Sequence, residues 1–248
     1  MKPWHIIGGF TLLVLLVAAW RIHLYEKARN APVATTSRYV EHPLSDDQLV
    51  TPKKMFIDSL QSAKALNGKP VWMQVGYTVA YYPYRAHRID FAHTAGTLPA
   101  AQQLDIKDVI EQTAPSTWQS RIPRGAKNAF AVFTEPGHDG EYAAPIATLG
   151  GADAAADTTW YCDQIFFYQD PRQLYHFWPA DIWQAVDQHQ AKPGMNEIQA
   201  AMALGNAQQS DSTDYGNRTV IYTIEQPDKT RHVAVTFANG KATQVKES

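Results

Sequence analysis

From Ile6 to Trp20 the chain runs without a charge, "IIGGFTLLVLLVAAW", bracketed by Trp4 and Trp20. A bilayer asks for about 20 apolar residues. Ile22 and Leu24, with Arg21 snorkelling past the end, extend the run toward that length. Residues 4–24 are therefore expected to contact a membrane, with 1–25 as a single-pass transmembrane anchor. The alternative is a cleaved signal peptide ending at Val17-Ala18-Ala19, although Trp20-Arg21 gives that site a poor context. Residues 26–50 are polar, hold two prolines and lack periodicity, as a juxtamembrane linker would.

Periodic patterns begin after that. Thr51 and Pro52 make a helix start, Phe56, Leu60 and Ala63 share a stripe, and Asn67-Gly68 supplies a stop. Alternation then takes over. Val71, Met73, Val75 and Tyr77 predict a strand, and the segment around Leu104–Val109 reads as either a strand or a short helix. Two apolar runs flank the turn at 135–140, and "WYCDQIFFYQDP" adds another strand. Residues 51–178 are thus expected to be a β-rich domain with a leading helix.

The helical period returns in 179–248. Ile182, Ala185, Val186 and His189 lie on one face, and Pro193-Gly194 breaks that helix. Asn196 with Gln199 forms a capping-box pattern, Ile198, Ala201 and Met202 give a buried side, and Gly205 closes the helix. Three strand-like runs follow, with turns expected at 226–229 and at Asn239-Gly240. The predicted fold class is α+β: a transmembrane helix, a β-rich middle, and a two-layer sandwich of two short helices on a three-stranded antiparallel sheet.

In residues 180–248, Gly194, Met195, Asn196, Leu204, Gly205, Tyr222, Phe237, Asn239, Gly240 and Lys241 carry a pattern that resembles the BamE (SmpA/OmlA) family of envelope lipoproteins. It is also similar to folds of the β-lactamase-inhibitor-protein type. The resemblance implies an envelope, scaffold-like role and points to an extracytoplasmic domain, whereas Arg21, Lys27 and Arg29 after the apolar run argue for a cytoplasmic one; the anchor itself places the chain on the inner membrane. The acylated cysteine of those lipoproteins is missing, and the pattern does not extend to 53–178. As a whole the chain resembles an uncharacterised type of bacterial membrane-anchored protein.

Composition narrows the function classes. A net charge of −2 gives no basic face for nucleic acid, so no nucleic-acid partner is expected. The single cysteine, Cys162, excludes an intramolecular disulfide and a multi-thiolate metal site; it sits in an apolar run as a structural thiol. No nucleophile elbow, His-Glu-x-x-His or phosphate-cradling loop occurs. His176, Asp181, Asp187 and His189 are the densest group of metal-type ligands, but Asp187 and His189, two apart, face different ways on a helix. Asp163 and Asp170 bracket a strand as a carboxylate pair, with Asp170-Pro171 an ordinary turn opener.

No catalytic residue, metal or cofactor is expected on these grounds. Strand alternation buries half of each aromatic group, and the other half offers a recognition surface for peptide or glycan. The residues named for it are Tyr81, Tyr82, Tyr84, Phe167 and Trp178. The expected function is a membrane-anchored envelope scaffold or protein-binding module. An envelope enzyme on cell-wall or small-molecule substrates, and a secreted inhibitor-like binder, stand as alternatives.

Overall fold

The structure is a computed structural model that describes residues 16–27, 45–114, 125, 127–150, 158–225 and 230–247. The chain divides into two compact units, Met1–Pro43 and Leu44–Ser248. In the first, residues 16–27 form a helix, α1, with exposed side chains. The described part spans about 18 Å, against a hydrocarbon core of about 30 Å, and it carries Arg21, Glu26 and Lys27. No helix among the described residues is long and apolar enough to cross a membrane. This corrects the expected transmembrane helix and, with it, the single-pass inner-membrane location. Residues 1–15 of the apolar run lie outside the described residues, as do 28–44 of the expected linker and the expected turn at 226–229.

The second unit opens with single helical turns, α2 (Asp46–Leu49) and α3 (Leu60–Ala63), the latter continued by a 3-10 turn at Lys64–Leu66. Strands follow: β1 (Pro70–Met73), β2 (Val79–Arg85), β3 (Arg88–Ile89), β4 (Gly96–Leu98), β5 (Gln103–Thr113), β6 (Lys127–Thr134), β7 (Glu141–Thr148) and β8 (Thr159–Trp160). The chain continues through α4 (Cys162–Ile165), β9 (Phe166–Phe167), α5 (Pro171–Leu174), α6 (Ala180–Asp187) and α7 (Glu197–Leu204). It ends in β10 (Ala207–Ser210), β11 (Thr219–Glu225), β12 (Thr230–Ala238) and β13 (Lys241–Glu247).

The strands form two antiparallel sheets. One has nine strands in the order β3-β2-β7-β6-β5-β1-β9, with β4 beside β2 and β8 beside β7. The other has four, β10-β11-β12-β13. The α+β expectation is therefore corrected: the molecule is sheet-rich, dominated by one large sheet, and its second sheet has a fourth strand. That strand, β10, is exposed throughout and has no apolar residue beyond Ala207, so hydrophobic alternation could not announce it.

The helix expected from Thr51 is also corrected. Residues 51–58 are irregular, and helix begins only after Ser59, whose side chain caps the Ser62 amide. A distant carboxylate decides this. Asp163 accepts the N–H groups of Met55 at 2.9 Å and Phe56 at 2.7 Å, and Phe56 sits at φ 53. A left-handed residue cannot continue a right-handed helix. The strand expected through "WYCDQIFFY" is likewise broken by the turn of α4.

Three packed clusters hold the second unit. β6 is buried on both faces: Ala129, Ala131 and Phe133 pack with Met73, Leu104, Ile146 and Phe166. Its Phe130 and Val132 meet Tyr82, Phe91 and Ala143 on the other side. In the third cluster Ile182, Val186, Met195, Ala200 and Met202 cover Val220, Tyr222, Val233, Val235 and Phe237.

α7 is delimited locally. Asn196 accepts from the Gln199 amide at 2.8 Å, the Gln199 side chain accepts from the Asn196 amide at 3.0 Å, and Gly205 takes φ 87. The Gly194-Met195 loop pairs with β13 through Gly194 N–H to Ala242 O and Ala242 N–H to Met195 O. Asp47 of α2 accepts from the Trp178 indole and, at 2.5 Å, from the Asn196 amide side chain. Residues 46–49 are thus tied to the C-terminal helices and are not free linker.

Candidate functional site

β7 is a central strand with a proline in it. Along one edge it pairs with β6, from Asn128↔Thr148 to Thr134↔Glu141. Along the other it meets β2 only at Tyr82↔Ala143 and Pro83↔Tyr142, then β8 at Ala147↔Trp160 and Thr148↔Thr159. Between these partners stands Pro145, which has no N–H to donate. The β6–β7 register slips beside it, between Ala129 and Phe130, which is the bulge that strand-interior proline requires. The large sheet forks at this point.

Beyond the fork, β2 turns to β4, with Val79↔Leu98, Ala80↔Thr97 and Tyr81↔Gly96. Amide direction follows from the alternation of a strand. The carbonyls of Tyr81 and Pro83 accept from Ala95 and Asp90, on the β3–β4 side. Ala80 and Tyr82 therefore direct their N–H and C=O toward the β7 side. Tyr82 finds Ala143 there; at Ala80, β7 has diverged and the groups face the opening.

The opening is a cavity of about 570 Å³. Tyr77, Val79 and Ala80 form one wall, Tyr161, Gln164 and Ile165 the opposite one, and Asn128, Pro145 and Thr148 the base. Asn128 is buried, and the Thr148 hydroxyl is bonded to the Tyr161 hydroxyl. No charged side chain lines it. Aromatic and aliphatic walls with a few amides and hydroxyls are what a neutral, hydrogen-bonding ligand needs.

Two other cavities lie elsewhere. One of about 190 Å³ is bordered by Gln74, Tyr81, His189 and Asn206. The other, of about 410 Å³, is bordered by Tyr175, Glu197, Arg218 and Tyr222. In the second, the charges are already spent on each other, since Arg218 Nη2 lies 2.6 Å from Glu197 Oε2.

The five residues expected to form one aromatic surface are placed apart. Tyr82 is 1% exposed, borders the fork and packs on Phe91 at 5.7 Å. Tyr84 is buried in the same cluster. Tyr81 stands edge-on to Tyr142 at 5.1 Å and belongs to the opposite face. Phe167 and Trp178 are buried in the helix-covered core, Trp178 at 4.5 Å from Tyr175. Burial removes Tyr82, Tyr84, Phe167 and Trp178 from any shared recognition surface, because their rings supply core area to two different clusters.

The carboxylates have local duties. Asp163 holds Met55, Phe56 and the Tyr168 hydroxyl, and Asp170 accepts from the Arg172 amide. Asp181 pairs with Lys192 and Asp187 with Arg172. Among the described residues no group of three His, Cys, Asp or Glu side chains could hold a metal ion. Burial, helped by the Asp163 charge, pushes the Cys162 thiol up to about 12, which makes it a poor nucleophile.

Asn128, Thr148, Tyr161 and Gln164 were not anticipated as site residues. The available signal was Pro145 inside "EYAAPIAT", since a proline in a central strand marks a bulge or a lost partner. The chain matches no family model, no curated protein and no solved structure.

Proposed function

We propose that the chain is a non-enzymatic binding module that takes an extended peptide segment of a partner protein into the fork between β2 and β8. The observation that carries this is the direction of the Ala80 amide groups, which face a neutral, tyrosine-walled cavity where β7 has left β2. An added strand gains affinity from main-chain hydrogen bonds and selectivity from pockets for alternate side chains. Tyr77 and Tyr161 supply rigid contact area at low entropic cost. The resemblance of 180–248 to BamE-type proteins implies an envelope, scaffold-like role, with which a binding module is compatible.

The test uses the full chain against a library of short peptides, with two variants. Ala80→Pro deletes the donor facing the fork while leaving the Ala80↔Thr97 pair, in which that amide points away from β4. Thr148→Trp fills the base. Both are expected to weaken selected peptides by roughly tenfold or more, the loss of one or two well-made hydrogen bonds. Peptides that bind both folded variants as well as they bind the parent chain would exclude the fork as the site.

A further inference from the structure

A second feature lies at the far end of β2, independent of the fork. β2 and β3 are joined by a two-residue turn, Ala86-His87, at φ 48 and φ 61. Arg85 and Arg88 flank it as a directly opposed cross-strand pair, and all four residues are exposed. Neither guanidinium has a hydrogen-bond or ion-pair partner among the described residues. The nearest acid in sequence, Asp90, is occupied by His93 at 2.8 Å and by the Ala92 amide at 3.1 Å.

This tip works against folding in two ways. Like charges placed directly opposite across a strand pair repel. Alanine and histidine in the left-handed region also cost more than the Asn-Gly that such turns favour. Neither cost is offset by packing, because nothing at the tip is buried. What the arrangement does provide is geometry. A tight hairpin holds the two arginine Cα atoms about 5.5 Å apart, and as a directly opposed pair they project from the same face of the hairpin, so both planar forks can reach one bound group. Each fork can grip two oxygens of an anion.

We infer that Arg85 and Arg88 form a clamp for a tetrahedral oxyanion, a phosphate or sulfate group, with His87 at its side. Bound anion removes the repulsion that the free tip carries, and a tetrahedral group has enough oxygens to satisfy both forks. A single carboxylate offers only two.

The experiment follows the backbone amides of Ala86 and His87 and the arginine Nε–H signals by NMR in the full chain at low ionic strength. Inorganic phosphate, sulfate and chloride are titrated at matched ionic strength. Saturable shifts confined to the tip are expected with phosphate and sulfate but not chloride. Arg85→Gln and Arg88→Gln should each weaken binding by roughly tenfold, and Arg85→Lys by several-fold, since an ammonium keeps the charge and loses the fork. Phosphoserine peptide against the same peptide unmodified tells a ligand-borne group from a free ion: tighter binding of the former indicates a peptide-borne group, equal affinity to inorganic phosphate a free one. Linear shifts that chloride reproduces, or a lysine variant that binds like the parent, would overturn the clamp and leave only diffuse attraction.

Discussion

Glu197 and Arg218 meet as a forked pair, with Arg218 Nη2 2.6 Å from Oε2 and Nε 3.1 Å from both carboxylate oxygens. The Glu197 side chain is only 6% exposed and also accepts the Gly216 amide at 2.6 Å. As the first residue of α7 it places negative charge where the helix dipole favours it. The pair thereby ties the helical layer to the loop that enters β11.

Breaking this pair should cost far more than removing it. Glu197→Gln leaves the Arg218 charge without its partner and should lower stability by about 3–5 kcal/mol. Glu197→Leu combined with Arg218→Leu should recover a large part of that loss. Urea denaturation of the single and double variants measures both. Additive single losses would show that the two residues are not coupled.

Phe56 is 78% exposed at φ 53, held there by Asp163. Phe56→Gly should therefore stabilise the chain by up to about 1 kcal/mol, because little packing is lost and left-handed strain is relieved. Asp163→Ala should do the reverse, by roughly 2–3 kcal/mol, since two amides and the Tyr168 hydroxyl lose a charged acceptor. A Phe56→Gly variant that unfolds earlier would mean the ring has contacts that its exposure conceals.

Two glycines separate backbone strain from close approach. Gly68 has φ 74 and open space where a Cβ would go, so Gly68→Ala should cost about 1 kcal/mol. At Gly216, φ 86, the added Cβ would stand 3.1 Å from Gly240 Cα. Gly216→Ala must also push apart two backbones joined by the Gly240 N–H to Gly216 O bond, so its loss should exceed that of Gly68→Ala. Thermal melts of the two variants side by side decide the order.

Alkaline pH should weaken the fold through buried protonated groups, Tyr81 and Cys162 among them. Burial, then Glu135, pushes Tyr81 from 10.0 up to about 12. Burial, then Asp163, pushes Cys162 from 9.0 up to about 12. In both, the folded state holds its proton more tightly than the unfolded chain. The contribution is intact below about pH 9 and is lost as pH rises toward 12. Tyr81→Phe and Cys162→Ala should each flatten the decline of stability in that window. Iodoacetamide should label Cys162 at pH 8 only in denaturant; rapid labelling of the native chain would contradict its burial.

The sequence by itself determined what depends on neighbours a few residues apart. The α7 helix was legible because its cap joins Asn196 to Gln199 and its end needs only a glycine at 205. The turn at Asn239-Gly240, with φ 51 and 75, was legible for the same reason. What the tertiary structure decided came from partners far away in the chain. Asp163 bends the chain at Phe56 across 107 residues, overriding a local helix pattern. The aromatics named for recognition are claimed by three cores, because area burial outweighs display when packing partners exist. The fork exists only because β7 exchanges β2 for β8 around Pro145, and strand exchange is a property of pairing between segments that no single segment encodes.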